Sequence, residues 1–314
     1  MGALASSIAV RVGLPLTGGQ LVSAARAAGY PVLFSANAFM VRDAEGGTAR
    51  VRRPNPAQLA GLDAALDSAG FVAAERYRGY PWTVDQYLDL VEAHPWAWYS
   101  SMDYCVEPEY AGSLIETMFR VAETCRMYRV VCRTAEERGL PAPVPVLQGW
   151  GVDHYLWCVD HMPLAAWPVL VGVGSMCRRQ IHGPHGVLAI VEALDRVLPQ
   201  QTRLHLFGVK GTALAYLAGH PRIASVDSMA WDFAARCAVP TGRTAARRIE
   251  FMHEWTSRTQ QRASGARRPY EMALFDEEGA EHSEDLADML ELVVSDEIDG
   301  RSAAFHCARM WLEG

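Results

Sequence analysis

Short apolar runs alternate with longer amphipathic segments along most of this 314-residue chain. The apolar runs are rich in branched residues, whereas the longer segments repeat apolar positions at three- and four-residue steps. Strands that are separated by helices of this length pair in parallel as βα units. Strands are predicted at residues 7–12, 31–36, 96–102, 144–147, 169–173, 203–207 and 223–226. Helices are predicted at residues 56–69, 84–93, 110–138, 154–166, 184–198 and 212–218.

This order predicts an α/β fold. Seven visible strands, with an eighth expected nearer the C-terminus, favour a (β/α)8 TIM barrel over an open doubly wound sheet. No early strand is followed by a GxGxxG turn, which argues against a dinucleotide-binding sheet. Past residue 238 the pattern changes to an arginine-rich helical segment, with further helices at 285–294 and 303–312. We therefore expect a barrel core over residues 1–240, with closing helices and a C-terminal helical appendage over 241–314, in one continuous domain.

Charge and cysteine content narrow the class of protein. The net charge is −7, yet residues 236–268 carry eight arginines against two glutamates, while residues 276–299 carry eleven acids. Such a basic stretch suits phosphates, although a solvated helix face explains it equally well. The seven cysteines lie far apart and form no CxxC, which favours reduced thiols in a cytoplasm. No apolar run approaches the roughly 20 residues that span a bilayer.

Four predicted strands end in residues that suit a purine nucleoside, and the carboxyl ends of parallel strands meet at one face. Guanine offers N1–H and an amino group as donors beside the O6 acceptor, so a carboxylate and an amide together match its edge. Asp103, Gln148 and the backbone of residues 172–175 supply these groups. Asp227 suits attack on the sugar C1′ through a covalent glycosyl intermediate. Each residue alone has a simpler explanation, such as a helix cap or tight packing.

Aromatic and basic side chains next to these positions are further candidates. Trp150 and Tyr104 directly follow the amide and acid runs, and one of them could stack on a base. Arg178 and Arg179 follow the glycine-rich run and suit phosphates, although salt bridges at a helix start explain them equally well. The remaining arginines in the expected nucleic-acid contact set are Arg236, Arg243, Arg247 and Arg248.

Several of these runs resemble a known family in order and spacing. LHLFGVKG followed by IASVDSMAWDFAAR, together with PVLQGW, VGVGS and SMDYCVEP, resembles the tRNA-guanine transglycosylase (queuine tRNA-ribosyltransferase) superfamily over residues 31–236. The GSMCRR and DSMAW runs are closest to its DNA-modifying DpdA branch. The resemblance implies a TIM barrel that replaces guanine with a 7-deazaguanine such as preQ0 or preQ1. For the DpdA branch it implies DNA rather than tRNA as the polymer. Accessory proteins that open the duplex are further candidate partners.

Carried over by position, the resemblance implies Asp227 as the nucleophile and Asp103, Gln148 and Gly174 as base-recognition groups. The full expected substrate-binding set comprises Asp103, Gln148, Gly149, Gly172, Gly174, Ser175, Ser35, Tyr104 and Trp150.

Two departures from the family pattern stand out. The early DSGG segment of the tRNA enzymes is matched to FSANAF at residues 34–39, which places Ser35 where an acid is expected and leaves Asp103 as a candidate proton carrier. The CxCxxC zinc motif is missing, since Cys237 and Cys307 stand alone, so no metal or cofactor is expected. Three alternatives stay open: the same chemistry on tRNA, the same chemistry on a free nucleoside or nucleotide, and a barrel that binds without catalysis.

Overall fold

A curled parallel sheet of seven strands forms the centre of the protein. The computed structural model describes residues 8–43, 48–238 and 244–265. The strands of this sheet are β1 (Ala9–Leu14), β2 (Val32–Ser35), β5 (Ala64–Asp67), β6 (Val146–Leu147), β7 (Leu170–Val173), β8 (Arg203–Leu206) and β9 (Ile223–Ser228). Their spatial order is β5-β2-β1-β9-β8-β7-β6. A separate antiparallel hairpin consists of β3 (Met40–Arg42) and β4 (Thr48–Val51).

Helices follow the strands in the crossover connections that parallel pairing requires. They are α1 (Gln20–Ala27), α2 (Pro56–Leu59), α3 (Gly70–Tyr77), α4 (Val84–Glu92), α5 (Pro108–Ala111), α6 (Leu114–Glu137), α7 (Val152–His161), α8 (Val187–Val197), α9 (Leu214–Leu217), α10 (Ala230–Ala238) and α11 (Ala245–Ser264). Local sequence fixes several starts: Thr83 and Gln86 form a reciprocal capping box on α4, and Ser113 caps α6.

The register of the sheet brings polar residues to its carboxyl edge. Ser35 pairs with Asp67 at the ends of β2 and β5. Asp227, near the end of β9, pairs with Arg11 inside β1, whose guanidinium turns back toward Asp63 before β5. The two edge strands both approach the segment around Tyr99: Leu66 forms a parallel bridge to Tyr99, and Ser100 forms one to Val144. Backbone hydrogen bonds accompany these bridges, including Ser101 N–H to the Val144 carbonyl at 2.8 Å.

The predicted α/β class and parallel pairing are confirmed, and an arginine-rich helical segment past residue 238 is confirmed as α11. The helix predicted over residues 56–69 is wrong, because only α2 is helical there and residues 64–67 form strand β5. Alanine and leucine are strong helix formers, but burial between neighbouring strands overrides that preference. The β3–β4 hairpin was not predicted.

Two other predictions, on the C-terminal helices and on membrane spans, are judged only over the described residues. The predicted helices at 285–294 and 303–312 lie outside the described residues. Within residues 8–43, 48–238 and 244–265, no helix is long and apolar enough to cross a membrane.

Candidate active site

Three carboxylates meet at the carboxyl edge of the sheet. Asp67 is the last residue of β5, Asp227 lies near the end of β9, and Asp103 follows the bridged segment around Tyr99. Burial raises the pKa of Asp67 well above its usual value, and the charges of Asp103 and Asp227 raise it further. Ser68, the residue after Asp67, donates a hydrogen bond to Asp103 at 2.9 Å, which places Asp67 and Asp103 next to each other at the edge of the sheet that also carries Asp227.

Asp103 is buried and held on both carboxylate oxygens. Ser68 Oγ donates to Oδ1 at 2.9 Å, and the Gln148 amide donates to Oδ2. Tyr80 fixes the backbone, since its hydroxyl donates to the Asp103 carbonyl at 2.9 Å and accepts from the Asp103 N–H at 3.1 Å. Burial raises the pKa of Asp103, while the hydrogen bonds from Gln148 and Ser68 oppose that rise. The carboxylate is therefore oriented before any ligand arrives.

Gln148 is fully buried and is oriented by the turn after β7. Ser175 Oγ donates to Gln148 Oε1 at 2.7 Å and accepts from the Val106 N–H at 2.8 Å. Gly174 is required by close approach, because a Cβ at that position would overlap the Gln148 amide. The Gly174 carbonyl accepts a hydrogen bond from Tyr155 at 2.7 Å. Thus Asp103, Gln148, Gly174 and Ser175 are brought together as predicted.

Asp227 is held by the neighbouring strand. Its Oδ1 accepts from the Gly208 N–H at 2.9 Å and lies 3.3 Å from Nε2 of His205, at an angle that falls short of a good hydrogen bond. His205 Nδ1 lies 2.8 Å from Ser225 Oγ. Burial lowers the pKa of His205, although Asp227 opposes the effect, so the neutral ring is favoured. Sequence reasoning missed His205, whose only signal is a polar residue inside an apolar strand.

Asp67 is the second residue that sequence reasoning missed. Its Oδ2 accepts from the Ala69 N–H at 3.0 Å, and Ala69 has a positive φ of 69°. The run DSAG at residues 67–70 matches a DSGG segment more closely than FSANAF does, and the misassigned helix concealed it. Ser175 also has a positive φ of 56°, so two strained turns border the site. Ser35 lies beside Asp67 on the neighbouring strand, and its match to the place of the early acid stays a prediction.

The other predicted substrate-binding residues occupy different surroundings. Gly149 packs against Tyr155, and Gly172 lies under the ring of Phe207, where an added Cβ would be 2.5 Å away. Tyr104 packs edge-on against Tyr80 at 5.7 Å, lining a cavity that reaches Asp103. The Trp150 ring is covered by a guanidinium 4.4 Å from its centre, that of Arg179.

The expected phosphate contacts are largely engaged inside the protein. Arg179 is buried and donates to the carbonyls of Gly149, Trp150, Ser175 and His185. Its guanidinium therefore holds two site loops together and does not face solvent, so it is not retained as a phosphate contact. Arg178 is paired with three acids, Glu75, Glu107 and Glu109.

The later arginines are also paired. Arg236 and Arg248 both pair with the buried carboxylate of Asp232, at 3.4 and 2.6 Å. Arg247 is half exposed and pairs with Glu250 at 2.7 Å. Arg243 lies outside the described residues.

The described residues were also compared with the ligand sets that bind metal ions. Within them, no group of three or more His, Cys, Asp or Glu side chains could hold a metal ion. Cys307 lies outside these residues, and the expected absence of zinc stays a prediction.

The fold and the site define an α/β protein with aspartates and a buried amide at the carboxyl edge of a parallel sheet. The family model of DpdA, DeoxyPurine in DNA protein A, matches residues 17–278. The chain therefore belongs to the DpdA family, whose members take part in deazapurine modification of DNA. No curated protein matches the chain.

Proposed function

We propose that the protein exchanges guanine in DNA for a 7-deazaguanine such as preQ0, through a covalent intermediate on Asp227. The observation that carries the proposal is the hydrogen-bonded pair of Asp103 and Gln148 at the edge of the sheet where β5 ends in Asp67 and β9 carries Asp227. Family membership supports DNA as the polymer. With Asp67 present, the site has an acid for proton transfer, which removes the reason for favouring a barrel that binds without catalysis.

Base recognition uses the hydrogen-bond acceptors and donors of Asp103 and Gln148 that have no partner within the protein. A carboxylate has about four lone-pair sites, and Ser68 and Gln148 take two of those on Asp103. The others accept from N1–H and the amino group of guanine. The Gln148 amide has two N–H groups, and the one not directed at Asp103 donates to O6. The same contacts fit a 7-deazaguanine, since this edge is common to both bases.

The exchange is two displacements at C1′. Asp227 attacks C1′ as the C1′–N9 bond breaks, and the bonding pair passes to N9. Protonated Asp67 donates its proton to the departing guanine, which leaves as a neutral base. The incoming deazaguanine then gives its corresponding proton to Asp67, its nitrogen attacks C1′, and the Asp227 carboxylate leaves. Atoms and charges balance without an external oxidant or energy source.

The raised pKa of Asp67 suits this role. A carboxyl group that keeps its proton to higher pH is a better general acid near neutrality, and once deprotonated it is a stronger base. Asp103 is a poorer proton carrier, because both of its oxygens are committed to neighbours. Ser35 Oγ is buried beside Asp67 and has no hydrogen-bond partner among the described residues, so it is a candidate contact for substrate.

His205 acts as a positioning residue. Gly208 N–H and the His205 ring both face Oδ1 of Asp227, which leaves Oδ2 for attack. If Ser225 donates its hydroxyl proton to Nδ1, the neutral ring carries its proton on Nε2, toward Asp227. The same contacts then stabilise the carboxylate as it leaves in the second displacement.

The sheet is proposed to close into a (β/α)8 barrel. The bridges from Leu66 to Tyr99 and from Ser100 to Val144 support closure, with the segment around Tyr99 as the eighth strand. The target guanine reaches the carboxyl edge only after leaving the duplex stack, at a cost of a few kcal/mol.

Exchange is tested with duplex DNA that carries labelled guanine. Incubation with preQ0 should release label, and denaturing electrophoresis should show a protein–DNA adduct. Asp227→Asn should abolish both, whereas Asp160→Asn, the same change at an exposed position on α7, should leave both unchanged. Release from tRNA and not from DNA would replace the polymer in the proposal. No release from either, by protein that binds preQ0, would refute base exchange.

A further inference from the structure

We propose that five exposed arginines form a phosphate-binding track for the DNA strand, and the proposal rests on the DNA exchange function above. The track lies on β4 and the residues after it, and at the end of α3. Its members are Arg50, Arg52, Arg53, Arg76 and Arg78. None of them belongs to the contact set that the sequence suggested.

Exposure and lack of acidic partners distinguish the track. All five side chains are exposed, and none has an acidic partner within 4 Å among the described residues. Arg178, Arg236 and Arg248, by contrast, are neutralised by carboxylates. Asp43 is the one acid among the described residues of the hairpin. In a chain with a net charge of −7, a surface of unneutralised arginines attracts a polyanion that the overall charge repels.

The two halves of the track are held together by packing. Arg42 on β3 stacks over the Tyr77 ring of α3 at 4.0 Å and donates to the Tyr77 hydroxyl at 3.2 Å. The Thr48 N–H donates to the Pro81 carbonyl at 3.1 Å. The Arg42 side chain therefore forms the contact between the hairpin and α3, whereas the neighbouring arginines stay exposed.

The track leads to the candidate active site. The hairpin follows β2, whose last residue pairs with Asp67, and α3 begins directly after the DSAG turn. Arg78 lines a cavity together with Tyr80, Tyr104 and Asp103. A strand whose phosphates follow these arginines would arrive beside Asp103, where the extruded base is recognised.

Salt dependence of binding tests the track on the full chain. Each neutralised phosphate contributes about 0.9 to the slope of log K against log salt for duplex DNA, and about 0.7 for a single strand. Replacement of Arg50, Arg52 and Arg53 by alanine should lower the magnitude of the duplex slope by about 2.7. A second variant, Arg76→Ala with Arg78→Asn, should lower it by about 1.8. Asparagine tolerates the left-handed backbone at residue 78, where φ is 60°.

Arg129→Ala is the matched control. Arg129 is exposed and has no acidic partner among the described residues, but it lies about 22 Å along α6 from the start of that helix. The control should keep the parental slope, and far-UV circular dichroism should show all variants folded. If both track variants keep the salt slope of the unmodified protein, while the unmodified protein exchanges guanine in DNA, the arginine track is refuted and the proposed function is not. An unmodified protein whose DNA binding does not depend on salt would overturn both the track and the DNA substrate.

Discussion

Replacing Gly174 with alanine tests the base-recognition set directly. Gly174 has no positive φ, so its backbone accepts alanine without strain. The added Cβ would overlap Nε2 of Gln148 and lie 2.7 Å from its Cδ, and the overlap with Nε2 requires the amide to retreat by roughly 1 Å or more to restore an ordinary contact of about 3.4 Å. That movement breaks the hydrogen bond from Gln148 to Asp103 and lengthens the 2.7 Å contact with Ser175.

The expected loss follows from the broken contact. Without the Gln148 amide the Asp103 carboxylate is no longer held toward the base, and a hydrogen bond from the base to that charged group contributes about 1.5 to 3 kcal/mol, so the Kd for a 7-deazaguanine should rise roughly 12- to 160-fold. Isothermal titration calorimetry measures the change. Gly112→Ala is the control, because nothing lies within 4 Å of its added Cβ and its φ is −70°.

A double variant separates displacement of the amide from general damage. In Gln148→Ala the space next to Gly174 opens, so adding Gly174→Ala should cause little further loss of affinity. Additive losses in the double variant, or a Kd for Gly174→Ala within threefold of the parental value, would refute this account of the pocket.

Three further predictions concern protonation, positioning and stability. Only protonated Asp67 can donate a proton, so the rate of single-turnover guanine release should fall as the pH rises through the raised pKa of Asp67. Asp67→Asn should lower this rate about 10²- to 10⁴-fold and remove its fall with pH. His205→Phe should slow adduct formation about tenfold or more at unchanged base affinity, and His205→Gln should restore part of the rate. Equal rates in both variants would contradict a role of His205 in positioning Asp227. Arg179→Leu leaves buried carbonyls without donors and should lower the free energy of unfolding by about 2 kcal/mol or more, measured by urea denaturation; an unchanged midpoint would contradict this.

The sequence made some parts of the fold predictable and concealed others for physical reasons. Strand β7 was predictable because buried parallel strands are continuous apolar runs. Strand β5 was not, because alanine and leucine favour helices in isolation and only its neighbours make it a strand. That error concealed Asp67 and shifted the expected acid to Ser35.

The polar residues show the same limit. Asp103, Gln148 and Gly174 could be predicted as a set, because each follows an apolar run at the same edge of the sheet. Arg179 could not be assigned, since sequence does not show which guanidinium is satisfied by buried carbonyls. The arginine track depends on which side chains lack partners, and that appears only once the chain is folded.

The proposed exchange uses one purine-edge set, formed by Asp103 and Gln148, which are joined by a hydrogen bond. Two bases cannot occupy it together, so in the proposed exchange guanine must depart before its replacement enters. Steady-state plots at several deazaguanine concentrations should then be parallel lines, and free guanine should compete with the incoming base. Because both displacements occur at the same carbon through Asp227, the glycosidic bond is inverted twice and its original configuration is retained. The modified nucleotide can therefore return to the duplex with the geometry of the one it replaced.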